Sequence, residues 1–214
     1  QRNRDGKWEL ESTKYGENAS DYFGQSVAIY GNYAIVGATG YNAGAGNNQG
    51  AVYFYQRNRD GKWELESTKY GEKADDNFGV SVAIYGNYAI VGAYGYDAGA
   101  GAGQGAVYFY QRNRDGKWEL ESTKYGENGS DQFGRSVGIY GNYAIVGAVG
   151  ADKAYLYLRK NNGKWIKVSE QYNPIMKGDG FGDAVGLFGN YAIVGGITGG
   201  TVSGGMAAIY QRMY

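Results

Sequence analysis

Residues 51–72 read AVYFYQRNRDGKWELESTKYGE. Two β-rich runs flank Asp60-Gly61, a pair that tolerates positive φ and marks a tight hairpin. The first run, 51–57, is dense in Val, Tyr and Phe. The second, 62–68, alternates, with Trp63, Leu65 and Ser67 on one side and Glu64, Glu66 and Thr68 on the other. Such a strand has one wet face, so it is expected at an outer rim, its charges guarding an exposed edge.

Working outward, QRNRDGKWELESTKYGE recurs unchanged at 1–17, 56–72 and 111–127, and a diverged copy, LRKNNGKWIKVSEQY, starts at Leu158. Trp8, Trp63, Trp118 and Trp165 are spaced 55, 55 and 47 residues apart, and the Phe-Gly pairs at Phe23, Phe78, Phe133 and Phe181 are spaced 55, 55 and 48. The third interval is short because GYNAGAGNNQG of the first copy shrinks to GADK in the third. Periods of this size belong to propeller blades or helical solenoids, and no segment carries the i, i+3, i+4 apolar spacing of a helix.

Each copy reads as four strands. SVAIY at 26–30 and YAIVGA at 33–38 flank Gly-Asn, a second hairpin signal, and 51–57 and 62–68 complete the set. The first strand carries a small residue at Ala28, Ala83, Gly138 and Gly186, which suits the crowded centre of a ring. The fold class is all-β: a β-propeller of four four-stranded antiparallel blades in one domain, 1–214, with repeats near 1–55, 56–110, 111–157 and 158–214. The chain opens on an outer strand and ends on a third strand, so pairing 207–212 with 7–13 is expected to close the ring. A segment cut from a longer array would look the same. Gln1 in place of Met reads as a mature or excised piece.

Composition narrows function. Charge is balanced, with 21 basic and 21 acidic residues, which favours neither nucleic acid nor an anionic membrane. No apolar run reaches the length of a membrane span. With no His and no Cys, disulfide, thiolate, zinc and imidazole chemistry are excluded. A carboxylate pair could serve a glycosidase, but four near-equivalent sets single none out. A non-enzyme is expected.

The residues FGQSVAIYGNYAIVGATG and GAVYFYQRN resemble the FG-GAP repeats of integrin-like β-propellers, especially their bacterial extracellular relatives. The resemblance implies an extracellular or cell-surface module for adhesion or recognition, whose partner is a surface protein or a carbohydrate. Two departures stand out. Such propellers usually have seven blades, and the Asp-rich calcium loop is replaced by glycine-rich loops. Asp97 alone supplies too few oxygens for calcium unless backbone carbonyls do most of the work, so no cofactor or metal is expected.

Candidate sites come with competing readings. Tyr15, Tyr70, Tyr125 and Tyr172 could stack on sugar rings, with Glu17, Glu72 and Glu127 nearby for hydroxyls, or could pack between blades. Asp21, Asp76, Asp131 and Asp179 precede each Phe-Gly and read either as a carboxylate ring or as Asx-turn caps. Their fourfold recurrence favours caps. The four Trp read as inter-blade core. Asn18 and Asn128 sit in glycosylation sequons. Two functions remain: a recognition module binding through loops at one face, or a structural repeat of a fibre, coat or matrix, with self-association through the terminal strands.

Overall fold

The computed structural model describes residues 4–42, 44–173, 178, 180–197 and 204–213. These form four successive antiparallel sheets, each a meander, here termed blades. Blade 1 is β1 (Phe23–Tyr30), β2 (Tyr33–Ala38), β3 (Ala51–Arg57) and β4 (Trp63–Tyr70). Blade 2 is β5 (Val82–Tyr85), β6 (Tyr88–Ala93), β7 (Ala106–Arg112) and β8 (Trp118–Tyr125). Blade 3 is β9 (Phe133–Tyr140), β10 (Tyr143–Ala148), β11 (Lys153–Arg159) and β12 (Trp165–Tyr172). Blade 4 has β13 (Phe181–Phe188), β14 (Tyr191–Gly196) and β15 (Met206–Gln211). The Gly-Asn signals close the β1–β2 type hairpins, where Gly31, Gly86, Gly141 and Gly189 take φ of 56°, 58°, 59° and 59°.

Successive blades meet through their first strands: β5 packs on β1, β9 on β5 and β13 on β9. The approach is close enough to need glycine. A Cβ on Gly37 would collide with the carbonyl oxygen of Gly79, and one on Gly92 with that of Gly134. The same carbonyls accept hydrogen bonds from the preceding blade, Ser26 Oγ to Gly79 O at 2.6 Å and Ser81 Oγ to Gly134 O at 2.8 Å.

Farther out, Trp118 and Trp165 fill the interfaces, as expected of inter-blade core. Trp8 is instead exposed and Trp63 is half-buried against the N-terminal segment, because no blade packs on that side of blade 1 among the described residues. Trp118 stacks on Phe54 with centroids 4.6 Å apart, and Trp165 on Phe109 at 4.4 Å. Such a stack adds about 0.5–1.5 kcal/mol to the burial of the rings. The indole N–H of Trp118 donates to Glu66 Oε2 at 2.9 Å, and Glu66 also pairs with Arg112. Glu121 repeats this clasp with Trp165 and Arg159.

The clasp corrects the expectation for Glu66. Phe54 faces Ser67 while Tyr55 faces Leu65, so Glu66 is the extra residue of a β-bulge. The bulge turns its carboxylate from the wet face into the next blade and leaves Leu65 exposed.

Ring closure is corrected too. β15 is the edge of its sheet among the described residues, and 7–13 do not pair with it. That segment lies on blade 1, where Glu11 accepts from Arg57 Nε at 2.9 Å and Trp63 Nε1 at 3.0 Å. β13 packs against β9, β10 and β11 rather than β1. Tryptophan stacks on phenylalanine at the junctions of blades 1 and 2 and of blades 2 and 3, and a cavity stands at the junction of blades 3 and 4.

Candidate functional site

The Asp positions are structural in their geometry. Asp76 is buried and its Oδ2 accepts the backbone N–H groups of Glu72 and Lys73 at 2.8 and 2.7 Å. Burial is the main cause that raises its carboxyl above the usual range. Asp131 does the same for Glu127 and Asn128, and Asp21 for Asn18. Asp179 lies outside the described residues. Asn18 and Asn128, the sequon residues, are exposed beside these turns.

Tyr70 and Tyr125 stack within their own blades, and Glu17 and Glu72 bond to the tyrosines that these rings stack on or to neighbouring ones rather than to the candidate tyrosines themselves. Tyr70 stacks on Tyr41 at 5.4 Å and Tyr125 on Tyr96 at 5.6 Å. Glu17 accepts from the hydroxyls of Tyr41 (3.2 Å) and Tyr53 (3.4 Å). Glu72 accepts from Tyr96 (2.9 Å) and Tyr108 (3.3 Å). Burial, then Glu17, pushes the Tyr41 hydroxyl up to about 12. These hydroxyls are therefore neutral donors at neutral pH, committed to the carboxylate. Tyr15 and Tyr172 are exposed. Asp97 Oδ1 is likewise committed, to the N–H groups of Gly99 (2.7 Å) and Gly101 (3.1 Å) in its own loop.

Blade 3 breaks this pattern. The shortened β10–β11 loop places Ala151 where Tyr41 and Tyr96 stand in the other copies. A cavity of about 380 Å³ lies between β8 and the outer strands of blade 3, lined by Tyr125, Glu127, Tyr155, Trp165, Lys124 and Lys167. Two further changes bring cations to Glu127: Lys153 replaces the alanine of β3 and β7, and Lys167, which lines the cavity, the leucine of β4 and β8. Lys167 Nζ lies 3.1 Å and Lys153 Nζ 3.5 Å from Glu127. The bond from Lys167 is the main reason the Glu127 carboxyl sits low and the Lys167 ammonium sits high. Drawn to the lysines, Glu127 leaves the Tyr155 hydroxyl buried with no hydrogen-bond partner among the described residues. Burial, then Glu127, raises that hydroxyl's pKa.

The Phe-Gly element is now defined in three dimensions. Phe78 and Phe133 are buried, and the glycines after them have φ of 88° and 87° and face the preceding blade. A family model described as the FG-GAP repeat matches residues 13–55, 70–110 and 125–163. The chain belongs to the FG-GAP repeat family. No curated protein matches it. In this FG-GAP chain the Tyr–Glu pairs belong to the repeat itself, whereas the blade 3 cavity is an addition to it. Sequence reasoning singled out Tyr125 and Glu127 but missed Tyr155, Lys153 and Lys167. The available signal was the trimmed loop together with two lysines at otherwise apolar repeat positions.

Proposed function

We propose that this FG-GAP protein is a non-catalytic recognition module of the cell surface or extracellular space, binding glycan or protein. One observation carries the reading: the cavity beside Glu127 is where the repeat departs from itself. Binding sites need a local arrangement that scaffold positions do not. Tyr125 and Trp165 provide apolar ring surface, Lys124 provides a cationic donor, Lys167 a second ammonium shared with Glu127 and Glu170, and the Tyr155 hydroxyl a buried polar group with no hydrogen-bond partner among the described residues. That combination suits a hydroxyl-bearing ligand with an acidic group, such as an acidic sugar. The cavity sits between outer strands, so the contact surface includes the rim as well as the loops at one face. With neither His nor Cys in the chain, and the Glu17, Glu72, Glu127, Asp76 and Asp131 carboxylates occupied by tyrosine hydroxyls, lysines or backbone N–H groups, binding is favoured over catalysis.

The test is an array of neutral and acidic glycans and of surface proteins, probed with the intact chain and with Lys167→Ala. A ligand that the wild type holds and the variant loses at least tenfold supports the reading. Absence of any ligand, or a ligand indifferent to the substitution, ends it. The structural reading, a repeat of a fibre, coat or matrix, is favoured by a different observation: both end blades present apolar faces.

A further inference from the structure

The interior interfaces define what a complete blade junction contains. Trp118 occupies a slot formed by Phe54 and by Tyr33, whose ring is 6.2 Å away and edge-on. Between blades 3 and 4 the equivalent slot is a cavity of about 350 Å³, lined by Tyr143, Leu156, Val168, Leu187 and Tyr210. In repeat register Tyr143 stands for Tyr33 and Leu156 for Phe54. The tryptophan that would fill it belongs to a fourth strand on β15, which the sheet lacks among the described residues.

That strand's sequence exists elsewhere in the chain. Residues 7–15 are identical to 62–70, and Trp8 is 84% exposed where Trp118 is 2% exposed. Glu11 already grips Arg57 and Trp63 of blade 1, as Glu66 grips Arg112 and Trp118 of blade 2. The segment thus occupies the place of an outer strand of a blade before blade 1, and among the described residues no such blade contacts it.

The end faces are complementary in the same sense. At the interior junction, Ile35 and Phe54 of blade 1 bury in one cluster with Val82 and Ile84 of blade 2. The corresponding residues at the ends are Ile193 (44% exposed) and Ile209 (72%) on blade 4, and Val27 and Ile29 (67% each) on blade 1. Along the first strands, Tyr30, Tyr85, Tyr140 and Phe188 form a ladder with rings 4.6, 4.8 and 4.9 Å apart, leaving Phe188 and Tyr30 as its two ends.

We propose that blade 4 is completed by a second copy of this chain. Residues 7–15 of one copy add to β15 of the other as the fourth strand. The register is that of β3 with β4, so Trp8 lies opposite Arg212, Leu10 opposite Tyr210 and Thr13 opposite Ala208. Trp8 enters the cavity between blades 3 and 4, and blade 1 of the donor seats Val27 and Ile29 on Ile193 and Ile209. The contact is head-to-tail, so it closes into a ring of two or continues as a series. It is weaker than an interior junction, because Val168 stands where Glu66 and Glu121 receive the indole N–H. Neither functional reading is required for it.

The test is light scattering of the intact chain over a concentration series. Masses at multiples of 23.2 kDa that fall toward the single chain on dilution are expected. Trp8→Ala and Ile209→Asp should each weaken association at least tenfold. Both residues are exposed in the single chain, and circular dichroism checks that both variants fold. Mixing the two variants restores one junction, because each keeps the end that the other lost, and yields a two-chain species. A single-chain mass at every concentration overturns the proposal, as does an assembly untouched by either substitution or a mixture that stays single-chain.

Discussion

Blade 2 and blade 4 are built from the same repeat but have opposite surroundings. Blade 2 is enclosed on both faces, and its Ile84, Ile90, Phe109 and Trp118 are buried. In blade 4 the residues at two of those positions, Ile193 and Ile209, are exposed, and among the described residues its sheet has no fourth strand. A blade therefore does not bury its own apolar surface. Its neighbours do, as expected of a quasi-one-dimensional array in which stability resides in the interfaces.

Paired substitutions test that contrast. The largest effect is expected at Trp118→Ala, which empties a filled interface and should cost about 3–5 kcal/mol in urea unfolding at any protein concentration. Trp8→Ala, at the same repeat position, should cost nothing measurable in dilute solution, where the chain is single. Equal losses at both sites would show that the N-terminal segment is packed in solution.

Next comes the glycine approach. Gly92→Ala drives a methyl into the Gly134 carbonyl and should cost about 1–3 kcal/mol. Gly195→Ala, where the nearest atom to the added carbon is 3.6 Å away, should be neutral. Paired melting curves decide, and equal shifts would contradict the close approach of blades 2 and 3.

The smallest effect concerns the clasp on the N-terminal segment. Hydrogen bonds from Arg57 and Trp63 lower the Glu11 carboxyl from 4.5 to about 2. A lowered carboxyl favours the folded arrangement above its unfolded value, and the advantage fades as pH falls toward the folded one. Residues 7–15 should stay docked on blade 1 above about pH 4.5 and loosen between there and about pH 2. Side-chain carboxyl shifts measured by NMR give the midpoint. A value near 4.5 would mean the clasp is not formed.

How much of this was legible beforehand differs by feature. Strand order within each blade followed from local signals, since Gly-Asn and Asp-Gly fix their hairpins within a few residues. The fate of Glu66 did not, because alternation places it on the wet face and a bulge reverses it. A bulge depends on the pairing partner, which a single strand does not reveal. The cavity beside Glu127 was half legible: Tyr125 and Glu127 stood out as loop residues, while Lys153 and Lys167 lie in strands and matter only because their neighbours converge on Glu127.

The repeat period, the all-β class, the four copies and the Phe-Gly signature were written in the chain, because hairpin turns and strand alternation are local and recur with the sequence. The angle between blades was not. It belongs to the packing between blades, where the Phe54–Trp118 and Phe109–Trp165 stacks and the close glycine contacts lie. Whether the first and last blades meet depends on how every blade seats on the next, a long-range quantity, and among the described residues no strand follows β15 in the sheet of blade 4.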